Sequence, residues 1–489
     1  MVKYESCLWD PPRVITMSEQ ADSWTFKRGK DLLEKASKAL ETPLCDHCLG
    51  RLFARSGWGL TNQERGKSLR ITLALVAENP VEDDLTPEQS IAKRLPIHPV
   101  NNNEKRETGS SGEEENSSSW NVTDSPTLEN PWKDQKSSDD ICFICENIFE
   151  RIEPLVSLVE KEAEVYDFKT FQMGTSLDPS MVQREERIIT KVEPRCAEPL
   201  KEEINREMGK ILQKRWPDTE VDRSDPDITF IIQPIYDKVE SQVKPLFVRG
   251  RYRKLKRGIP QTRWPCRSCH GKGCEECNHT GRRYLTSVEE EIGEVFKKHA
   301  RGDDYKLHGM GREDVDVRML GGGRPFIMEI SRPKIRDMNL DSISREINDD
   351  GTSPVEIEEL SRAQRKEIGP LKESKKRKRY RTKVNFSEPI DEKRLKYGIS
   401  HLTRGPIRQR TPVRVSHRRA DKIRKRVVHD AGYKLVGDRS AEIEILADGG
   451  LYIKELLHGD QGRTEPSLAS SIDMKVEVEY LDVTDVLDG

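Results

Sequence analysis

Eight of the ten cysteines in this 489-residue chain form four Cys-x-x-Cys pairs: Cys45 and Cys48, Cys142 and Cys145, Cys266 and Cys269, Cys274 and Cys277. Two residues between thiols let both sulfurs reach one metal ion, and two such pairs complete a tetrahedral site. The spacing therefore predicts two structural zinc sites. The first constrains the fold strongly, because it joins residues 45 and 48 to residues 142 and 145. The bland alternative for each set is four reduced thiols packed as small apolar groups. His47 lies inside the first pair and is not expected to ligate where four thiolates are at hand. Cys7 and Cys196 stand apart.

Charged residues make up 35% of the chain and hydrophobic ones 34%. No apolar run approaches the roughly 20 residues that span a bilayer. The opening MVKYESCLWDPPRV lacks a basic start followed by an apolar stretch, so no secretory signal is expected. A cytoplasmic protein follows, and in that reducing compartment disulfides are not expected. Net charge is only -2, from 84 basic and 86 acidic residues, but the charges are segregated. Residues 101–140 are acidic and serine-rich, while 244–257 and 372–383 are strongly basic. Local basic faces of this kind supply phosphate affinity without a high net charge.

Along the chain, residues 24–41 carry a helical rhythm, and 80–140 are too polar to repay the entropy of ordering, which predicts a disordered insert. Residues 142–248 alternate helical and strand-like patterns, with strands near 168–173 and 228–233 and charged helices over 179–215. The stretch KPLFVRGRYRKLKRGIPQTRW at 244–264 interleaves basic and aromatic residues, a pattern suited to RNA backbone and exposed bases. A compact Cys-rich segment, CRSCHGKGCEECNHTG, then opens a second half of short alternating strands, including Val413/Val415, Ile443/Ile445 and Val476/Val478. Residues 335–373 read as a charged helical segment and KKRKR at 375–379 as a loop or arm.

GREDVDVRMLGGGRPFIMEI, residues 311–330, places Asp314 where a Gly-Arg-Glu-Asp loop enters an alternating segment. Gly321 to Gly323 followed by the apolar run Phe326 to Ile330 predict a hairpin. A lone Asp in such a place is most simply a turn cap. Three later segments change that reading: KRYRTKV at 378–384, the guanidinium-rich edge-like strand IRQRTPVRVSHRR at 407–419, and GGLYIKEL at 449–456, where a Tyr-Ile-Lys unit enters a helix. Arginine favours bidentate phosphate contacts, so the second segment suits RNA.

CDHCLGR at 45–51, RGRYRKL at 249–255, GREDVDVRMLGGGRPF, YRTKV, QRTPVRVSHRR and LYIKELLHGDQGRTEPS occur together and in order. In this the chain resembles the archaeal THUMP-containing tRNA pseudouridine synthases, over all but the 80–140 insert. The resemblance implies an α+β fold. It would comprise an N-terminal zinc-containing THUMP-like α/β RNA-binding domain, residues 1–255, and a C-terminal synthase domain, 256–489, with a mixed, mainly antiparallel sheet. It further implies that uridine 54, 55 or both in the T-arm of tRNA are isomerised without a catalytic cofactor. Asp314 would be the nucleophile. Tyr380 would stack on a flipped base, Lys454 would pair with Asp314 and keep it ionised, Ile453 and Tyr452 would line the pocket, and Arg312 would bind substrate. Asp316 is taken as structural. The implied partner is tRNA, with no membrane, no small-molecule cosubstrate and no inferable protein partner. A methyltransferase or sulfur transferase would need a glycine-rich cofactor loop or an ATP loop, and neither is seen. A non-catalytic zinc-containing RNA-binding or chaperone protein would explain the cysteines but not Asp314, Tyr380 and Lys454 together.

Overall fold

The structure is a computed structural model that describes residues 19–57, 59–78, 141–349, 351, 353–416 and 419–487. The expected 80–140 insert, Cys7, His417 and Arg418 lie outside the described residues. Among the described residues, no helix is long and apolar enough to cross a membrane.

The chain forms two compact units, one made of Met1–Glu164 with Lys169–Ser241 and one of Val165–Phe168 with Gln242–Gly489. In the first, helices Glu19–Leu40, Asp46–Leu52, Asn62–Glu78 and Ile152–Ala163 precede strand β1, Thr170–Thr175. Helices Pro179–Val192 and Leu200–Arg215 follow, then β2 (Glu220–Val221), β3 (Ile228–Gln233) and β4 (Lys238–Val243). The four strands order as β2-β1-β3-β4, with β1 parallel to both neighbours. Helix Pro179–Val192 starts where the sequence dictates. Asp178 accepts from the Ser180 backbone N–H at 2.9 Å and Pro179 supplies a preset first residue. Its buried Met181, Glu185, Ile188 and Val192 recur at helical spacing. β3 buries Ile228, Phe230 and Ile232 on one face, as strict alternation requires.

The second unit contains β5 (Leu246–Lys254), β6 (Asp304–Gly309), β7 (Val317–Ser331), β8 (Val355–Ala363), β9 (Lys378–Phe386), β10 (Ile407–Arg410), β11 (Ile423–Arg426), β12 (Val428–Gly437), β13 (Ser440–Ala447), β14 (Thr464–Glu465) and β15 (Val476–Val486). Its main sheet runs β12-β13-β9-β15-β7-β5-β8, with β6 also on β7. Among the described residues, its pairings are antiparallel except that of β15 with β7. Helices Val288–Ala300 and Ile453–His458 contribute Ile292, Phe296, Leu456 and Leu457 to the large apolar core. Each such fully buried side chain contributes about 1.5–3 kcal/mol.

Several expectations are corrected here. The glycine triplet does not turn a hairpin. β7 runs on through it, pairing with β5 on both sides, Tyr252 opposite Arg324 and Lys254 opposite Met319. The surplus residues form a bulge. Gly321 sits there at φ 59°, and a Cβ on it would meet the Thr484 carbonyl oxygen at 1.8 Å. Second, the 335–373 segment is not all helix, since β8 lies within it and completes the sheet edge beside β5. The basic run at 375–379 likewise enters a central strand, β9, because Tyr380, Thr382 and Val384 bury one of its faces. Third, β10 is the middle strand of a separate β11-β10-β14 sheet, not an edge, and Val413–Val415 form a 3-10 turn. Fourth, the units divide near residue 241, not 255, because β5 is hydrogen-bonded on both sides within the larger sheet. Cys196, moreover, is disulfide-bonded.

Candidate active site and cysteine centres

Asp314 stands in a tight turn just before β7, where its carbonyl accepts from the Val317 N–H at 3.1 Å. The turn is held from behind. Lys254, fully buried on β5, donates to the carbonyls of Ile259, Asp314 and Val315 at 2.8, 3.0 and 3.2 Å. Burial pulls this ammonium down to about 8, with Glu313 opposing. Below the turn Glu313 and Arg324 form a buried ion pair at 2.8 Å, their side chains 0% and 1% exposed. The Tyr252 hydroxyl donates to both Glu313 oxygens at 2.9 Å, and Gln261 bonds Tyr252 and the Gly311 carbonyl. Arg324 also donates to the Met310 carbonyl at 2.7 Å. The loop is thus fixed through its backbone and through Glu313, which leaves Asp314 free to face outward.

It faces a pocket of about 110 Å³, several times the ~10–15 Å³ that a single water needs, lined among others by Asp314, Tyr380, Arg414, Tyr452, Ile453 and Lys454. The turn after β13 delivers the Tyr-Ile-Lys unit, with Tyr452 as the cap of helix Ile453–His458. Tyr452 is held by Gln409, whose side chain accepts from the Tyr452 N–H at 2.8 Å. The Tyr452 hydroxyl is buried without a hydrogen-bond partner among the described residues. Tyr380 enters from β9, and burial pushes its phenol up to about 12, with Arg324 opposing. Arg312, on the same loop as Asp314, lies over the Trp264 ring at 5.0 Å.

The pairing of charges differs from expectation. Asp314 is bonded to Arg414 at 2.8 Å, and Lys454 is bonded to Asp316 at 2.5 Å. Arg414 is itself aligned by the buried Glu455, Nε to Oε1 at 2.6 Å, and lies over the Tyr452 ring at 5.7 Å. The cation paired with Asp314 is therefore a guanidinium from the 3-10 turn after β10. Desolvation weakens Asp316 as an anion, but its Lys454 bond outweighs that and holds its carboxyl below the usual range.

Several cations of the basic runs also brace the fold. Arg253 bridges Glu356 and Glu358 at 2.8 and 2.7 Å, Arg257 donates to the carbonyls of Asp316 and Leu481 at 2.8 Å, and Arg410 pairs with Asp421 at 2.5 Å. Sequence reasoning missed Arg414, Lys254, Glu313 and Arg324 as supports of Asp314. Arg414 had a signal in the density of arginines at 407–419, but its target is far along the chain.

Both cysteine sets converge. Cys45, Cys48, Cys142 and Cys145, and separately Cys266, Cys269, Cys274 and Cys277, bring their sulfurs within 4.8 Å of one another. A tetrahedron with metal–sulfur bonds of about 2.3 Å has sulfur–sulfur edges of about 3.8 Å. Cys45 and Cys145 are 3.6 Å apart, and the second set shows 3.9, 3.8 and 3.7 Å. Backbone N–H groups of Gly273, Cys274 and Gly281 donate to Cys269 and Cys277 sulfurs at 3.1–3.2 Å. The donor chemistry and spacing fit a structural tetrahedral metal in each set. Purified under metal-replete conditions, the chain is expected to carry two metal equivalents. Cys48→Ser and Cys277→Ser are each expected to remove one by elemental analysis, and one equivalent or fewer in the native chain would count against the pairing.

Two family profiles match the chain: "Pus10, C-terminal" over residues 247–487 and "Pus10 THUMP domain, archaeal" over residues 155–233. Among curated relatives, the tRNA pseudouridine synthase Pus10 of Methanothrix thermoacetophila is 38% identical, covering 93% of this chain and 94% of the relative. That of Methanocaldococcus jannaschii is 41% identical over 91% and 92%, and that of Pyrococcus furiosus 36% over 94% and 98%. Among solved structures, a Cbf5-Nop10-Gar1 complex aligns at 15% identity over 41% of this chain and 45% of that one, with a TM-score of 0.27, too low to carry an argument. The two units are accordingly a THUMP-containing unit and a pseudouridine-synthase unit with a mixed sheet, and the chain belongs to the Pus10 family of tRNA pseudouridine synthases, which are isomerases.

Proposed function

We propose that the chain isomerises uridine 54, uridine 55 or both in the T-arm of tRNA to pseudouridine, with Asp314 as nucleophile and the target base flipped into the pocket. The observation that carries this reading is the placing of the Asp314 carboxylate, braced by Arg414, on one cavity with Tyr380, Tyr452, Ile453 and Lys454. The base must leave its stack to reach that carboxylate. Tyr380 then offers an aromatic face, Ile453 an apolar wall and Arg312 an exposed cation at the rim.

Bond breaking needs the carboxylate ionised and held against C1′ of the ribose. Arg414 pairs with the carboxylate at 2.8 Å and orients it, and Lys254 fixes the backbone from which it projects. Overall the N1–C1′ bond breaks, a C5–C1′ bond forms, and a proton passes from C5 to N1. Nothing is oxidised or reduced, so no catalytic cofactor is required. The cysteine-bound metals, which we assign as zinc, act as structural cross-links. The THUMP-containing unit is assigned the grip on tRNA away from the reacting base.

Unmodified tRNA incubated with the chain and no added cofactor, then treated with carbodiimide and read by primer extension, is expected to stop reverse transcription at position 54, 55 or both. Stops only elsewhere would refute the T-arm assignment, and no stop anywhere would refute the activity.

A further inference from the structure

We propose that Lys378 is a further catalytic residue, whose ammonium contacts the uracil in the Asp314 pocket and holds the negative charge that the base acquires when its glycosidic bond breaks. The proposal rests on the reading given under Proposed function.

Lys378 and Tyr380 are two residues apart on β9, so they share one face of the strand, and both line the pocket with Asp314. The loop closes down on Lys378. A Cβ on Gly311 would lie 3.0 Å from Lys378 Nζ and 3.4 Å from Arg324 Nη1. Three cations beside it are matched: Arg414 to Asp314 and Glu455, Lys454 to Asp316, Arg324 to Glu313; Arg312 lies over the Trp264 ring, and the exposed Arg419 also lines the pocket. The Lys378 ammonium has no ion pair or hydrogen bond among the described residues. Burial pulls it down to about 7, the Arg324 charge adds to that, and Glu313 opposes. A half-buried cation without a charge partner is costly, and an anion arriving in the pocket relieves the cost.

Uridine isomerisation supplies such an anion. As a carboxylate oxygen of Asp314 bonds to C1′, the N1–C1′ bond breaks and its electron pair stays with uracil, spread over N1, O2 and O4. The ring turns, C5 bonds to C1′ as the Asp314 oxygen leaves, and the C5 proton is lost while N1 regains one. Asp314 serves the sugar half of this exchange and Lys378 the base half. A preorganised charge aimed at a developing anion contributes on the order of 10²–10³ in turnover.

Lys378→Met is expected to lower kcat about 100-fold while KM for tRNA stays within about threefold, and to raise the melting temperature because an unmatched buried charge is removed. Lys378→Arg keeps the cation and is expected to recover at least about a tenth of the native rate. The charged groups around Lys378 are Arg324 and Glu313 beneath it and Arg312, Asp314, Arg414, Arg419 and Lys454 around the pocket. The ammonium is the working form, so the native single-turnover rate should fall as pH rises through about 7, and that fall should vanish in Lys378→Arg. Stability runs the other way. The folded pKa lies below the unfolded value of 10.5, so the unfolded state binds more protons between those values and stability rises with pH there. Lys378→Met with kcat within threefold of native, or a change in KM alone, overturns the proposal. So does a native rate that is flat between pH 6 and 9, a readout that survives if the Met variant fails to fold. If Lys378→Met stays active while Asp314→Ala is dead, only the Lys378 inference fails. If the native chain makes no pseudouridine, the reading beneath it fails.

Discussion

Arg324→Met is expected to destabilise the C-terminal unit by about 3–5 kcal/mol, the cost of stranding one member of a buried ion pair. Arg324 and Glu313 are 1% and 0% exposed, and without the guanidinium the Glu313 carboxylate keeps, among the described residues, only the Tyr252 hydroxyl as a close partner. In a unit of this size each kcal/mol moves the midpoint by roughly 2–4 °C, so a drop of about 10 °C in its thermal transition is expected. The Met310 carbonyl would also lose its donor at 2.7 Å, which loosens the start of the loop that carries Asp314. The double replacement Arg324→Met with Glu313→Leu removes both charges, and it is expected to regain most of the lost stability. A single-variant loss below about 1 kcal/mol would show that the pair carries little of the loop's rigidity.

How much of this was legible beforehand follows the range of the forces involved. β3 could be read because Ile228, Phe230 and Ile232 alternate with residues that stay half exposed, a period set by the strand itself. The cysteine pairing was legible because thiol spacing restricts the chemistry more than it restricts the path between the pairs. The Tyr452 junction was legible as well, since a glycine pair followed by Tyr-Ile-Lys leads directly into the helix that begins at Ile453. The bulge at Gly321 was not, because a glycine triplet between two apolar runs looks locally the same whether the chain reverses or continues. Only pairing of β5 with both halves of β7 decides it.

The charge partners were the least legible feature. Asp314 and Asp316 are two residues apart, and local sequence could not say which would meet Lys454 or that Arg414 would take the other. The tertiary path of the turn after β10 decides that. In the basic strand β5, Arg253 also pairs with Glu356 and Glu358 on the neighbouring strand, a structural role that its composition alone did not announce. Lys254, in the same run, faces inward and fixes the Asp314 turn, which no periodicity in a stretch of alternating basic residues distinguishes.

The largest effect on turnover is expected at Asp314 itself. Asp314→Asn keeps the shape of the side chain and its reach into the pocket, but it removes the anion that Arg414 holds at 2.8 Å. An amide is a far poorer nucleophile than a carboxylate, so in the proposed mechanism the step that opens the glycosidic bond would lose its reacting atom. A loss of at least about a thousandfold is expected, with tRNA affinity within about threefold because the loop and its supports are intact. Asp316→Asn breaks only the half-exposed bond to Lys454 and is expected to cost about tenfold or less. The most direct test is a single-turnover comparison on one preparation of unmodified tRNA, with pseudouridine quantified over time in the native chain and the two variants. Product from the native chain and from Asp316→Asn, with none above background from Asp314→Asn, is the result predicted here; pseudouridine formed by Asp314→Asn at the native rate would contradict it.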